Sequence, residues 1–341
     1  MIFQKLPIKN GRLSISQVSG LISIHLGKDR KAPVFYDIET TGLSHSTSYL
    51  YLAGAICYEN ENWTLYQWFA ASPQEEPQVL EAFADFIKKR FDCTVQYNGN
   101  QFYQPYLSAR FRLFHIENPL EALPSLDLYR ILRPLKTLLK LPSLKQPQWE
   151  TFLGLPPRLH CDGKECIRLY RQLMKSGSRE ETILHSLLGH NAEDLSGLLH
   201  IISALSYLDL FSGRYDVSDC SFQEEQVLFS LKPHHPIPTL FSNGKGLFYI
   251  TGLGESVHLS VPASDGILYL YYTDYKNYDF IPSEGRAIPK SLSSYLDKSL
   301  RVPATADTCY TPIPCNETFL ITPSMQKQYL EHSLPHYLHS L

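Results

Sequence analysis

No stretch of this chain approaches the ~20 consecutive apolar residues that a membrane-spanning helix needs. The first residues, MIFQKLPIKNGR, carry neither the apolar run nor the small-residue cleavage site of a secretory signal. Seven cysteines (Cys57, Cys93, Cys161, Cys166, Cys220, Cys309 and Cys315) form no C-x-x-C pair, and an odd number cannot all pair within one chain. That usage reads as a cytoplasmic protein with reduced thiols. Neither His160-Cys161 with Cys166 nor Cys309 with Cys315 has the spacing of a familiar zinc ligand pair. A basic excess is also missing, since 31 Lys and Arg stand against 34 Asp and Glu, a net charge of −3. A polyanion would therefore have to be gripped locally or through metal ions. There is no internal repeat and no low-complexity tract.

What is present is a well-formed apolar pattern. With 43% hydrophobic residues over 341 positions, the chain is long enough for about two domains with their own cores. Residues 1–32 are read as an N-terminal arm, in which Leu21–His25, between Gly20 and Gly27, suggests an edge strand. VFYDIETTGL, YLYLAGAICY and WTLYQWFAA then suggest an antiparallel meander. A helix begins near Pro77, and CTVQYNGN (93–100) reads as a short buried strand ending in an Asn-Gly turn. SLDLYRILRPL holds another strand and then a helix, and residues 180–208 read as two helical stretches punctuated by Gly189. From about residue 211 short β-like runs alternate with Gly, Pro, Asn and Asp, and an amphipathic helix closes the chain near 323–340. The expected division is an arm over 1–32, a first domain over 33–210 and a β-rich accessory domain over 211–341.

The chemistry concentrates in two places. In Asp37-Ile38-Glu39 the carboxylates are two apart, so a strand projects both to one side together with Phe35. Side by side they repel unless something positive lies between them, and a hard divalent cation such as Mg²⁺ fits oxygen ligands. The plain alternative is a strand end whose acids face water. In His190-Asn191-Ala192-Glu193-Asp194, His190 and Asp194 are one helical turn apart on one face. A histidine with an unperturbed pKa near ~6.5 can take a proton from water at neutral pH. The alternative there is Asn191 capping a helix with His190 satisfied at its start.

Taken in order, FYDIETTGL, YLYLAGAICY, EEPQVLEAF, QYNGNQFYQPYL and HNAEDLSGL resemble the DnaQ-like (DEDDh) 3′→5′ exonuclease superfamily. More closely, they are similar to its YprB-type ribonuclease-H-like group. The resemblance spans roughly residues 30–207. It implies an α/β fold, a ribonuclease-H-like mixed sheet flanked by helices, here followed by a smaller β-rich α+β C-terminal domain. It also implies that Asp37, Glu39 and Asp194 hold two Mg²⁺ or Mn²⁺ ions and that His190 is the general base. Thr41 and Asn98 would lie beside the terminal nucleotide of a single-stranded DNA or RNA end.

One position departs from the pattern. The family's second motif reads N-G-x-x-F-D, and here it is Asn98-Gly99-Asn100-Gln101-Phe102-Tyr103. A phenol with pKa near ~10 is neutral at pH 7 and a poor ligand for Mg²⁺. The second ion is therefore expected to bind weakly. Asp127 is the candidate replacement acid, with Asp92 and Glu76 as weaker ones, while the plain reading makes Asp127 a cap. Two functions follow: an exonuclease, or a catalytically weakened nucleic-acid-binding module or scaffold that keeps the fold. Arg130, Arg133, Lys136, Lys140 and Lys145 suggest a basic helical stripe. Tyr269, Tyr271, Tyr272, Tyr275 and Tyr278 are read as packing residues of the second half, with base stacking as the alternative.

Overall fold

Strand β2, Pro33–Thr40, sorts its residues by alternation. Val34, Tyr36 and Ile38 join a core with Val79, Leu80, Phe83, Tyr106 and Leu107, which leaves Phe35, Asp37 and Glu39 for the other face. In this computed structural model, which describes residues 1–8, 13–177 and 180–341, β2 pairs antiparallel with β3 (Leu50–Glu59), and β3 with β4 (Asn62–Phe69). The β3–β4 turn is Asn60-Glu61, with φ of 47° and 63°, the two-residue turn that right-twisted strands favour. Strands β5 (Cys93–Gln96) and β6 (Ser125–Asp127) continue the sheet in parallel beyond β2, while β1 (Ile2–Pro7) lies antiparallel along β4. The resulting order is β1-β4-β3-β2-β5-β6.

The helices of the first half are α1 (Ile15–Leu26), α2 (Glu76–Ile87), α3 (Tyr103–Leu113), α4 (Leu128–Ile131), α5 (Leu135–Leu138), α6 (Gln146–Phe152), α7 (Gly163–Lys175) and α8 (Glu181–Ile201). On one face of the sheet, α2 and α3 supply the core around Tyr36 and Phe83. On the other, Tyr51, Leu52 and Phe69 pack against Cys166, Tyr170 and Leu173 of α7 and Ile183 and Leu187 of α8. Tyr51 and Tyr170 stack with ring centroids 4.2 Å apart.

Three sequence expectations are corrected. Leu21–His25 is helical, not an edge strand. Val18, Leu21 and Ile22 are the buried residues of α1, which a Ser14–Gln17 capping box starts and Gly27 at φ 71° ends. The apparent alternation was one face of a helix sampled over too short a window. Gly189 does not punctuate two helices, because α8 runs through it unbroken. The stripe from Arg130 to Lys145 is not one helix face, since α4 and α5 are two separate four-residue helices.

The chain divides into two compact units, Met1–Arg133 with Ser143–Ser203, and Pro134–Pro142 with Ala204–Leu341. The second contains an all-antiparallel sheet of β7 (Tyr215–Gln223), β8 (Gln226–Pro233), β9 (Ile237–Lys245), β10 (Phe248–Gly254) and β11 (Ser256–Pro262), in the order β7-β8-β11-β10-β9. Two smaller sheets follow: β12 (Ile267–Tyr271) pairs with β16 (Tyr310–Pro314), and β13 (Tyr278–Ile281) lies between β14 (Arg286–Pro289) and β15 (Val302–Pro303). The short helices α9 (Lys290–Ser293) and α10 (Glu317–Ile321) precede α11 (Pro323–Ser340). The tyrosines pack within this unit: Tyr271 stacks on His336 at 3.6 Å and Tyr272 on Tyr278 at 5.0 Å. Among the described residues no helix is long and apolar enough to cross a membrane.

Candidate active site

Strand β2 and helix α8 meet where the sheet has no side chain to hold them apart. Gly54 on β3 stands opposite Asp37 in register. A Cβ there would come 2.0 Å from the Asn191 side-chain oxygen and 2.6 Å from Leu195, so only glycine lets α8 approach this closely. The approach sets Asn191 Nδ2 2.7 Å from Asp37 Oδ2, to which it donates. Gln67 Nε2 donates to Asn191 Oδ1 at 2.7 Å and to the Leu188 carbonyl at 2.9 Å, which fixes the amide's orientation. Asn191 is therefore an orienting residue in mid-helix, not a cap. The Tyr103 hydroxyl, at the first residue of α3, donates to the other oxygen of Asp37.

On the residue before Asn191, His190 Nε2 lies 3.3 Å from Glu39 Oε1 and 3.2 Å from Asp194 Oδ2. Ligand atoms of Glu39, His190 and Asp194 all fall within 4.8 Å of one another. His190 Nδ1 is buried without a hydrogen-bond partner, so Nε2 is the ring nitrogen that faces the two acids.

Charge in this cluster is poorly balanced. Burial, and next the Asp194 charge, push Asp37 up to about 7 against the pull of Tyr103, Asn191 and Arg158. Burial and the neighbouring Asp37 and Asp194 drive Glu39 well above the ordinary carboxylate range. Asp194 is also raised by burial, although His190 and Arg158 oppose the shift. Burial and the same three acids hold the Tyr103 phenol far above its usual value, so it is a neutral donor. Three carboxylates that resist ionisation together are short of positive charge. Their oxygens, with an imidazole nitrogen alongside, are the donor set that Mg²⁺ or Mn²⁺ takes. The residues fit a divalent ion held by Glu39 and Asp194 with His190 beside it, and Asp37 adds its charge close by.

The structure thus brings Asp37, Glu39, Tyr103, His190 and Asp194 together. Asp127 takes the cap role of the plain reading. Asp127 Oδ1 accepts from the backbone N–H of Asn98 at 2.9 Å and of Tyr129 at 3.1 Å, and Oδ2 from that of Asn100 at 3.0 Å. Both oxygens brace the turn after β5 and the start of α4. Asn98 sits in that turn at φ 57°, a backbone state asparagine tolerates. Thr41 Oγ1 accepts from Tyr49 N at 3.1 Å. Among the described residues no hydrogen bond or ion pair joins Thr41, Asn98 or Asp127 to the acidic cluster. Glu76 is buried in an ion pair with Arg110, and Asp92 accepts from the Lys31 and Ala32 amides.

Sequence reasoning missed Arg158. Its Nη1 lies 2.6 Å from Asp194 Oδ1, while Nε and Nη2 bond both oxygens of Glu150 at 2.7 and 2.6 Å. Burial works against its charge, but Glu150 and Asp194 outweigh it and push its pKa above the usual arginine range. Helix α7 was also missed, although Asp162 capping the Glu165 amide at 2.9 Å, followed by Cys166, Tyr170 and Leu173 at helical spacing, was a readable signal.

The RNase_H superfamily model matches residues 34–206, half of the chain, and the chain belongs to that superfamily. No curated protein sequence matches it. Similar solved structures include the family B DNA polymerase of the archaeon Pyrobaculum calidifontis, at 16% identity and TM-score 0.42, over 53% of this chain and 25% of the polymerase. A structure of exonuclease I aligns at 13% identity and TM-score 0.37, over 91% of this chain and 69% of that one. Exonuclease I of E. coli in complex with a dT13 oligonucleotide aligns at 13% and 0.33, over 91% and 73%. This chain therefore spans a quarter of the polymerase and about seven-tenths of exonuclease I.

Proposed function

We propose that this chain is a metal-dependent 3′→5′ exonuclease that hydrolyses phosphodiester bonds at a single-stranded DNA or RNA end. The observation that carries the reading is the burial of Asp37, Glu39 and Asp194 beside His190, with every acid pushed toward its neutral form. A bound Mg²⁺ or Mn²⁺ supplies Lewis acidity toward the phosphate and an activated water. Glu39 and Asp194 would hold the ion, while Asn191 fixes Asp37 next to them. With Glu39 and Asp194 turned to an ion, His190 Nε2 would be released from its contacts to the two acids and, as the unprotonated ring nitrogen, would take the proton of the attacking water. Thr41 and Asn98 are proposed to sit along the terminal nucleotide.

A strand also needs a grip outside the acids, and α7 offers one. Lys164, Arg168, Arg171 and Lys175 are exposed on one side of that helix, and Arg171 Nη2 reaches the Thr41 carbonyl at 3.5 Å. Four cations on a chain of net charge −3 form a local track for backbone phosphates. The test is shortening of 5′-labelled single-stranded DNA and RNA with Mg²⁺ or Mn²⁺, abolished by Glu39→Gln. Absence of shortening with both metals and both nucleic acids removes the reading. A second reading, a binding module with a weakened site, is favoured by the hydroxyl of Tyr103 on Asp37. It predicts salt-sensitive strand binding without turnover.

A further inference from the structure

Arg158 lies in the loop between α6 and α7 and is seated with unusual care for an arginine at a protein surface. Its partner Glu150 packs against α8 at Gly197, where a Cβ would lie 2.0 Å from the Glu150 carboxylate. Gln146 Nε2 donates to the same carboxylate at 3.1 Å and to the Asp194 carbonyl at 2.6 Å. Just past Arg158, the backbone N–H groups of Leu159 and His160 donate to Glu193 at 2.7 and 3.2 Å. The His160 ring fills the space a side chain at Gly189 would need, 2.0 Å from that Cβ. Gly189, Glu193 and Gly197 recur every four residues, so they form one stripe of α8. That stripe seats the loop, and the neighbouring stripe of His190 and Asp194 carries the site. Two glycines inside a helix cost about 1 kcal/mol each relative to alanine. The helix bears that cost where the loop carrying Arg158 comes closest.

We propose that Arg158 is a built-in cation of the site, standing at Asp194 in place of a second divalent ion, so that the protein loads one ion per chain. The ion itself rests on the nuclease reading above. The placement of Arg158 does not. With a guanidinium 2.6 Å from Asp194 Oδ1, a second dication at that oxygen meets a fixed positive charge. Glu39 and Asp194 Oδ2, which face His190, remain for the first. Tyr103, bonded to Asp37, supplies no further carboxylate.

The experiment is Mn²⁺ titration of the full chain by calorimetry and by electron paramagnetic resonance. It compares the parent, Arg158→Lys, and the double variant Arg158→Gln/Glu150→Gln, which removes the Glu150 charge together with its partner and leaves Asp194 its His190 contact. One ion is expected in the parent and in Arg158→Lys. In the double variant two are expected, or one bound roughly tenfold or more tightly, as removal of a unit charge beside a dication requires. Two ions in the parent overturn the inference by themselves, whether or not the double variant folds, and leave the nuclease reading standing. A folded double variant that binds one ion no more tightly than the parent also overturns it. No ion in any of the three chains removes the metal reading and this inference together.

Discussion

Replacing Asp37 with asparagine should make the metal-free protein more stable at pH 8 and have a much smaller effect at pH 5. The sign follows from the direction of the shift. Asp37 is pushed up from 3.8 to about 7 by burial, so between those values the folded state holds a proton that the unfolded state releases. Stability from this group is therefore lost as pH rises through that window and levels off above about 7. At roughly 1.4 kcal/mol per unit, the wild-type penalty grows by about 3 kcal/mol between pH 5 and pH 8. Asparagine does not titrate, so the difference between the two proteins should widen by that amount. Any fixed cost drops out of the comparison, including the clash of the new amide with the Asn191 donor now 2.7 Å from Asp37 Oδ2. The assay is urea unfolding of both proteins in EDTA at pH 5, 6, 7 and 8, repeated with saturating Mn²⁺. With metal the order should reverse at pH 8, because the ion then stabilises a carboxylate the variant lacks. A stability difference that stays flat from pH 5 to pH 8 would refute the claim that Asp37 lacks a countercharge.

Tyr103→Asp should destabilise the metal-free protein by roughly 2–4 kcal/mol, since the ring packs 6.1 Å from Tyr36 and 5.7 Å from Phe102 and its hydroxyl holds Asp37. The same change should raise Mn²⁺ affinity and increase turnover most at low metal; thermal melts and metal titrations of nuclease rate check both. Gly189→Ala should cost about 1–3 kcal/mol although alanine favours helix, because His160 occupies the space; urea unfolding measures it. Arg168→Glu with Arg171→Glu should weaken binding of a dT oligonucleotide about tenfold or more. It should also flatten the salt dependence of that binding by about one unit per lost phosphate contact, and leave Mn²⁺ binding unchanged.

The sequence was most legible where local pattern and burial agree. Period-two alternation in VFYDIET gave the strand, its faces and the shared side of Asp37 and Glu39, and every one of these holds because β2 is buried on both faces. The four-residue spacing of His190 and Asp194 gave their common helix face. Patterns failed where a residue's job is set by a distant partner. Gly189 reads as a break because glycine is a poor helix former, yet it is there to admit His160, about thirty positions back along the chain. Leu21–His25 reads as a strand because five residues are too few to separate a period of two from 3.6.

Arg158 shows a different kind of limit. Pro156-Pro157-Arg158 carries no periodicity, cap or motif, and nothing local distinguishes it from a solvated loop arginine. Its placement becomes visible only when Glu150 on α6, Glu193 and Asp194 on α8, and two helical glycines are seen around it. Tyr103 and Arg158 then bear on each other. Tyr103 lowers the number of carboxylates by one without leaving Asp37 unbonded, and Arg158 supplies a positive charge to the acid on the opposite side of the cluster. A site degrading by drift would be expected to lose a carboxylate and leave its neighbours unpaired. Here the remaining acids are each held by a named donor, Asp37 by Tyr103 and Asn191, Asp194 by Arg158 and His190, and Glu39 by His190. Tyr103 therefore keeps Asp37 bonded without adding charge, and Arg158, on the loop that α8 seats, brings the positive charge that reaches Asp194.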